Sequence, residues 1–314
     1  MVWMGLAAAL AACLTGCTST PIRTVAPPPT ATAVASGPSG KASDAPRDGR
    51  TTKLLTIVEE NHSLAQMKSG MPYLYGLSQR YAYADHYTAV THPSLPNYLA
   101  IVGGDTFGVS DDAAPSAHGL HGQSIFGQAR ANGLTAHLYA ESMPGACKLT
   151  GRADKGYAVK HNPWAYFVDE RRTCRVNDIP DDGFLDDAKA NALPNAGMLI
   201  PNQCNDAHNT DADCGLGAAD AWLQTRLPTV LASTDFTSGA LTVVITADED
   251  DRNSGNTVFT VVLQASLADS GSVVTAPLTH YSLSRLYSQI IGAPPLRKAA
   301  AAPDLAAAFG LPIG

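Results

Sequence analysis

The chain has 314 residues, 45% hydrophobic and 16% charged, with a net charge of −7, enough for one large domain or two small ones. Residues 1–17 carry no charge, and 18–50 carry four basic residues against two acidic ones, which leaves 51–314 at −9. So acidic a domain does not suit nucleic acid or an anionic membrane surface, whereas acidic side chains gathered in one site suit a cation.

The first segment is apolar from Met1 to Cys13, too short to span a bilayer. It runs into Leu14-Thr15-Gly16-Cys17, which resembles a bacterial lipoprotein signal box with Cys17 as the lipidated residue. An ordinary signal peptide cut nearby gives the same pattern. No Lys or Arg precedes the apolar run, a departure from both. Residues 18–50, rich in Thr, Pro, Ala, Ser and Gly, read as a flexible or polyproline-like tether. A folded domain is expected over 51–314, on an exported or surface-anchored protein.

Within that domain, Lys53-Leu54-Leu55-Thr56-Ile57-Val58 reads as a buried parallel strand that stops at Glu59-Glu60-Asn61-His62-Ser63. Residues 71–81 suggest a helix. Thr91-His92-Pro93-Ser94-Leu95-Pro96-Asn97-Tyr98 then predicts a tight turn feeding a short buried helix, with Pro96 in its first turn and Ser94 at or just before its start. A serine there caps the helix, or meets an anion at the free N–H groups. Residues 103–122 read as loop, 124–131 as helix and 135–141 as strand. The stretch 142–187 is irregular, with one short helix near 165–168, and its length suggests a lid or a functional excursion.

A third strand is expected over 197–201, ending at Asn202-Gln203-Cys204-Asn205-Asp206-Ala207-His208. A helix over 218–232 is expected to be interrupted by Pro228. Residues 240–246 form the clearest strand, ending at Asp248-Glu249-Asp250-Asp251, and 258–263 a further one. An amphipathic helix over 282–291 is stopped by Gly292 and two prolines, and a short helical tail follows at 299–309. Strands alternating with helices predict one α/β domain with a mostly parallel central sheet and helices on both faces. Cys147, Cys174, Cys204 and Cys214 are an even set. In an exported protein they suggest disulfides, and nearness favours Cys147–Cys174 and Cys204–Cys214 among three connectivities. No Cys-x-x-Cys pair is present, which argues against a zinc thiolate site.

Three strand ends thus carry carboxylate, amide or imidazole groups, and open α/β sheets bind ligands at that edge. Glu60, Asn61, Asp206, His208, Asp248, Glu249 and His280 are an inventory of oxygen and nitrogen donors for a divalent cation. Each alone also reads as an ordinary turn or surface residue. Together with Ser94 they describe phosphoryl transfer. Ser94 attacks a phosphate ester, Asn97 donates to a phosphoryl oxygen, and His92, His161 or His280 protonates the leaving group. An EF-hand over the acidic turn fails, because Phe259 stands at the twelfth position from Asp248.

The motifs Glu60-Asn61-His62-Ser63, Thr91 to Tyr98, His161-Asn162-Pro163, Pro201 to His208, Asp220-Ala221-Trp222-Leu223, Asp248-Glu249-Asp250 and His280-Tyr281-Ser282 occur in that order. The set resembles the phosphoesterase family of bacterial phospholipases C and acid phosphatases, within the alkaline phosphatase superfamily. The resemblance covers roughly 54–312. Ser94-Leu95-Pro96-Asn97 also looks like the Thr-Phe-Pro-Asn motif of nucleotide pyrophosphatases, whose first residue is the nucleophile. It implies an alkaline-phosphatase-like fold and Ser94 as nucleophile. Glu60, Asn61, Asp248 and Glu249 become metal ligands, and Asp206, His208 and His280 second-site ligands or phosphate contacts. Asp206-x-His208 and Glu249 depart from the zinc pattern of the superfamily. They shift the expectation from two zincs toward calcium, magnesium or iron.

The expected function is metal-dependent hydrolysis of a small phosphate monoester through a phosphoseryl intermediate. The chain stops after its helical tail where larger phospholipases of this family carry C-terminal β-domains. A phosphodiesterase of phospholipase C type is the alternative within the same class, and an inactive surface binding protein with the same fold is the alternative outside it. Nucleic acid is not expected as a partner, and a membrane only through the lipid anchor.

Overall fold

An apolar run with no polar face must be covered on both sides, and the stretch from Leu54 to Val58 is such a run. In the computed structural model, which describes residues 49–151, 156–208 and 213–313, it forms β1 (Lys53–Glu59). The expected signal peptide, Cys17 and nearly all of the expected tether lie outside the described residues.

Ser63 caps α1 (Leu64–Gly70) through a reciprocal box with Gln66, and α2 (Pro72–Arg80) follows at once. Two short strands, β2 (Ala82–Ala84) and β3 (Tyr87–Thr88), precede α3 (Ser94–Gly103). That helix ends on Gly104 at φ +66°, where an added Cβ would collide with the carbonyl of Leu296. Next come α4 (Ile125–Ala131), capped by Ser124, and β4 (Ala136–Ala140).

The excursion after β4 is built of three short 3₁₀ turns between Val159 and Glu170, then α5 (Arg171–Asn177), β5 (Asp178–Pro180) and α6 (Phe184–Lys189). The chain continues through β6 (Ala196–Ile200), α7 (Leu216–Ala232), α8 (Thr234–Thr237), β7 (Leu241–Ala247) and β8 (Thr260–Leu263). It closes with β9 (Ser272–Val274), β10 (Leu278–Thr279), α9 (His280–Ile290) and α10 (Leu305–Phe309). Pro228 does not interrupt α7, contrary to the sequence expectation. Both Pro228 and Gln224, whose carbonyl loses its partner, face water, so solvent supplies the missing hydrogen bond.

The main sheet runs β5-β4-β6-β1-β7-β8-β2-β9. The pairs β4–β5, β4–β6, β1–β6, β1–β7 and β2–β9 are parallel, and β8 is antiparallel to both β7 and β2. Helices cover both faces. On one, the Tyr287 hydroxyl of α9 donates to Thr56 Oγ1 of β1. On the other, Lys53 of the same strand pairs with Asp235 of α8 at 2.6 Å. Odd and even residues of one strand point to opposite faces, so these contacts fix the two layers. Leu54, Ile57, Val58, Val243, Val244 and Ile245 are fully buried between them, and each such side chain contributes about 1.5–3 kcal/mol. Because β4, β6, β1 and β7 are parallel, their C-terminal ends share one edge, where Glu141, the loop from Asn202, Glu60 and Asp248 all emerge.

Candidate active site

The turn before α3 is held by one buried amide. Asn97 Oδ1 accepts from the N–H groups of Val90 (2.9 Å) and Thr91 (3.1 Å). Its Nδ2 donates to the carbonyls of Thr91 (2.8 Å) and Pro93 (3.2 Å) and to Glu249 Oε2 (3.3 Å). Pro93 takes the cap position and Ser94 the first helical position, with no side-chain cap bond. The Ser94 hydroxyl is therefore released from the capping role that the sequence left open. It lies at a helix N-terminus and accepts a hydrogen bond from Lys160 Nζ at 3.0 Å. Asp112 ties this pair to the helix: its Oδ1 accepts from the Leu95 N–H (3.0 Å) and its Oδ2 lies 3.4 Å from Lys160 Nζ.

Glu60, fully buried at the end of β1, is the hub of the carboxylate cluster. Its Oε1 contacts His161 Nε2, and its Oε2 meets His208 Nδ1 (2.7 Å) and Asn61 Nδ2 (2.8 Å). Asn61 takes a left-handed conformation at φ 55°, tolerated by asparagine, and its N–H reaches Asp248 Oδ1 at 3.2 Å. His161 also touches Asp206 Oδ2 (3.2 Å) and stacks on the ring of Tyr98 from α3. Asp206 Oδ1 in turn accepts from the His208 N–H at 2.8 Å.

Electrostatics follow from that crowding. Burial opposes the charge of Glu60, but His161, His208 and Lys160 outweigh it and hold its carboxyl well below the usual range. Burial, and then the charges of Glu60 and Glu249, push Asp248 well up. Burial and Glu60 raise Glu249 to about 8. Burial works against a charged His161, yet Glu60 and Asp206 overcome it and raise its pKa to about 9. Lys160 is likewise opposed by burial and raised by Glu60, Asp112 and Asp248.

The expected residues lie together, and three histidines among them differ in their surroundings. His280 is sealed in the core, its Nε2 donating to the Asp248 carbonyl (2.6 Å) and its Nδ1 facing the Tyr87 hydroxyl (3.1 Å). Burial pulls its pKa to about 4, so it is neutral. His161 sits inside the carboxylate cluster, buried between Glu60 and Asp206. His92 keeps partial contact with solvent, 21% exposed, between Glu249 Oε2 (3.1 Å) and Asp250 Oδ1 (3.3 Å). Lys160 and Asp112 were not anticipated. The one signal for Lys160 is its position next to the His161-Asn162-Pro163 motif, and Asp112 lay in a stretch read as plain loop. A cavity of about 570 Å³ is lined by Asp112, Ala113, Ala114, Val159, Lys160 and His208, and so adjoins Lys160, the contact of Ser94.

These residues fit a divalent cation. Three buried carboxyl groups crowd together, and Asp248 Oδ2 has no hydrogen-bond partner among the described residues. Ligand atoms of Glu60, His161 and His208 also lie within 4.8 Å of one another. A cation removes the penalty of bringing such charges together.

Both expected disulfides, Cys147–Cys174 and Cys204–Cys214, are present. The first braces the excursion that presents Lys160 and His161. The second closes the segment that carries Asp206 and His208, whose start Glu141, just past β4, holds by accepting from the Asn202 N–H (2.9 Å) and from Asn205 Nδ2 (3.0 Å). Two disulfides are consistent with export to an oxidising compartment.

A doubly layered α/β sheet with these elements at its carboxyl edge is the fold of the alkaline phosphatase superfamily. A protein of that superfamily from Vibrio parahaemolyticus matches with a TM-score of 0.52, covering 80% of this chain and 70% of its own at 13% identity. The model of the Phosphoesterase family matches residues 47–292, and the chain belongs to that family. It is a phosphoric ester hydrolase. A phosphatidylinositol-3-phosphatase of Mycobacterium tuberculosis is 31% identical over 82% of each chain. A phosphate-repressible acid phosphatase of Penicillium chrysogenum is 31% identical over 67% of this chain, which spans about half (52%) of that relative's length.

Proposed function

We propose that this protein hydrolyses phosphate monoesters of small molecules in the manner of an acid phosphatase, through a phosphoseryl intermediate on Ser94. The observation that carries the reading is the Ser94 hydroxyl. It is at a helix N-terminus, free of capping, and paired with Lys160, which lines the cavity. The names of the relatives, an acid phosphatase and a phosphatidylinositol-3-phosphatase, favour a monoester over a diester.

In this reading Ser94 Oγ attacks phosphorus in line. The Ser94 hydroxyl proton passes to solvent, the Oγ–P bond forms as the bond to the leaving oxygen breaks, and water later breaks the Oγ–P bond, releasing phosphate and restoring the hydroxyl. Glu60, Asn61, Asp248 and Glu249 would hold a divalent cation, with His161, His208 and Asp206 alongside, and such a cation would supply Lewis-acid stabilisation of phosphoryl charge. Asn97 keeps the nucleophile's turn in register with Glu249, its Nδ2 committed to Thr91, Pro93 and Glu249 and not to the phosphoryl group. His92, partly exposed between Glu249 and Asp250, donates the proton to the leaving group, while His280 positions the Asp248 backbone. Export with a lipid anchor at Cys17 completes the proposal. The substrate is the only expected partner, with no nucleic acid and no membrane contact beyond the anchor.

Ser94→Ala is expected to abolish turnover of p-nitrophenyl phosphate with an unchanged melting temperature, and acid quenching during turnover of a radiolabelled ester is expected to trap label on wild-type enzyme alone. Retained activity in Ser94→Ala removes the serine mechanism.

A further inference from the structure

Lys160 is the lysine placed against the reacting oxygen in a site rich in carboxylates and imidazoles. Glu60, Asp112, Asp248 and Glu249 all belong to it, and a divalent cation answers only the first and the last two. The ammonium lies 3.0 Å from Ser94 Oγ, 3.4 Å from Asp112 Oδ2 and 3.9 Å from Glu60 Oε1. Its side chain is 17% exposed, and the exposed part lines the cavity of about 570 Å³. A phosphorus bonded to Ser94 Oγ must therefore bring one non-bridging oxygen against Lys160 Nζ. The cavity lining also holds the uncharged Ala113, Ala114 and Val159, with Asp112 and His208 as its other titratable groups.

We propose that Lys160 is a specificity-determining residue that makes the site select phosphomonoesters over phosphodiesters. The inference rests on the reading of Ser94 as the nucleophile for phosphate esters. A monoester at neutral pH carries roughly −1.5 to −2 on three terminal oxygens. A diester carries a single negative charge on two, and its second substituent takes the place of the third oxygen. The monoester thus gives the ammonium a charged acceptor, whereas a diester that turns its substituent this way leaves Lys160 to Asp112 and Glu60. Asp112 anchors the ammonium to the first turn of α3 and so fixes it relative to Ser94. Discrimination arises from an interaction that one substrate makes and the other lacks.

The test uses the metal-loaded full chain with p-nitrophenyl phosphate and bis-p-nitrophenyl phosphate as substrates. Lys160→Met is expected to lower kcat/KM for the monoester by about a hundred-fold, the cost typical of one lost charge-stabilising donor, and for the diester by far less. Lys160→Arg, which keeps the charge, is expected to recover much of the monoester rate. Inhibition by inorganic phosphate, a ligand of the same charge class, is expected to weaken about ten-fold or more in Lys160→Met. Melting curves confirm that each variant is folded, and Lys160→Gln replaces Lys160→Met if the latter is not. Equal losses on both substrates, or unchanged inhibition by phosphate, overturn the role of Lys160 and leave the monoester reading in place. A wild-type enzyme that turns over only the diester overturns the monoester reading and this inference with it.

Discussion

The side-chain amide of Asn97 on α3 donates to Glu249 Oε2 on the turn after β7, across 3.3 Å. This bond joins the segment that presents Ser94 to the acidic turn expected to hold the cation. The same amide satisfies two N–H groups and two carbonyls of the turn before Ser94. Asn97→Ala is therefore expected to destabilise the fold by about 2–4 kcal/mol, from buried polar groups left unpaired. It is also expected to reduce kcat by about a hundred-fold through misplacement of Ser94. Urea unfolding and steady-state kinetics on one preparation check both. A variant of wild-type stability with lowered kcat would show instead that Asn97 acts only on the phosphoryl group.

Metal removal has a predictable thermal signature. Burial and mutual repulsion raise Asp248 and Glu249 well above ordinary carboxylates when no cation neutralises them. A cation that binds only the folded state, at a hundred times its dissociation constant, adds about 2.7 kcal/mol. Treatment with a chelator is expected to lower the melting temperature by several degrees and to abolish hydrolysis, both reversed by one of calcium, magnesium, iron or zinc. Calorimetry with and without each metal identifies which. Identical melting and activity after chelation, with metal analysis showing none bound, would sink the metal assignment.

The sheet was legible because its central strands announce themselves. Lys53 to Val58 and Leu241 to Thr246 are apolar runs too short for helices, and each is followed at once by carboxylates. The short strands β2, β3, β9 and β10 left no trace, since two or three residues define no period. Their pairing is imposed by neighbours. The helix α1 is hidden in the sequence because its cap, Ser63, stands in the polar cluster that ends β1, with its partner Gln66 three residues beyond. Of the site, the donors at strand ends were readable from position. Lys160 was not, because its contact with Ser94 spans 66 residues and depends on how an irregular excursion folds back.

That excursion depends on a covalent brace. Cys147–Cys174 closes a stretch with a sequence separation of 27, for which chain-entropy estimates give about 3–4 kcal/mol. Replacement of both cysteines by serine is expected to cost stability of that order. Activity should fall further than stability explains at temperatures where the variant is still folded, because Lys160 and His161 hang from the braced segment. Kinetics well below the melting temperature, beside a melting curve, separate the two effects. Wild-type kcat in the folded double variant would mean that the 3₁₀ turns around Lys160 are held by their hydrogen bonds alone.

Asp178 supplies a pH dependence located away from the proposed ligands. It starts β5 beneath the Cys147–Cys174 bridge, and both its carboxylate oxygens accept from Asn162 Nδ2 at 2.9 Å. Burial raises its pKa to about 7, with Asn162 and Arg171 opposing only in part. The folded state therefore binds this proton more tightly than the unfolded chain, whose aspartate titrates near 4. The contribution is complete below the unfolded value and is lost as pH rises through the folded value, so the group erodes stability between about pH 4 and pH 7. The full loss is on the order of a few kcal/mol. Asp178→Asn removes the titration while keeping one acceptor for Asn162. Relative to wild type, the variant is expected to gain stability steadily from pH 4 to pH 7 and to hold that gain above it. Guanidinium unfolding of both proteins across that range measures the difference, and a pH-independent difference would show that Asp178 is ionised throughout.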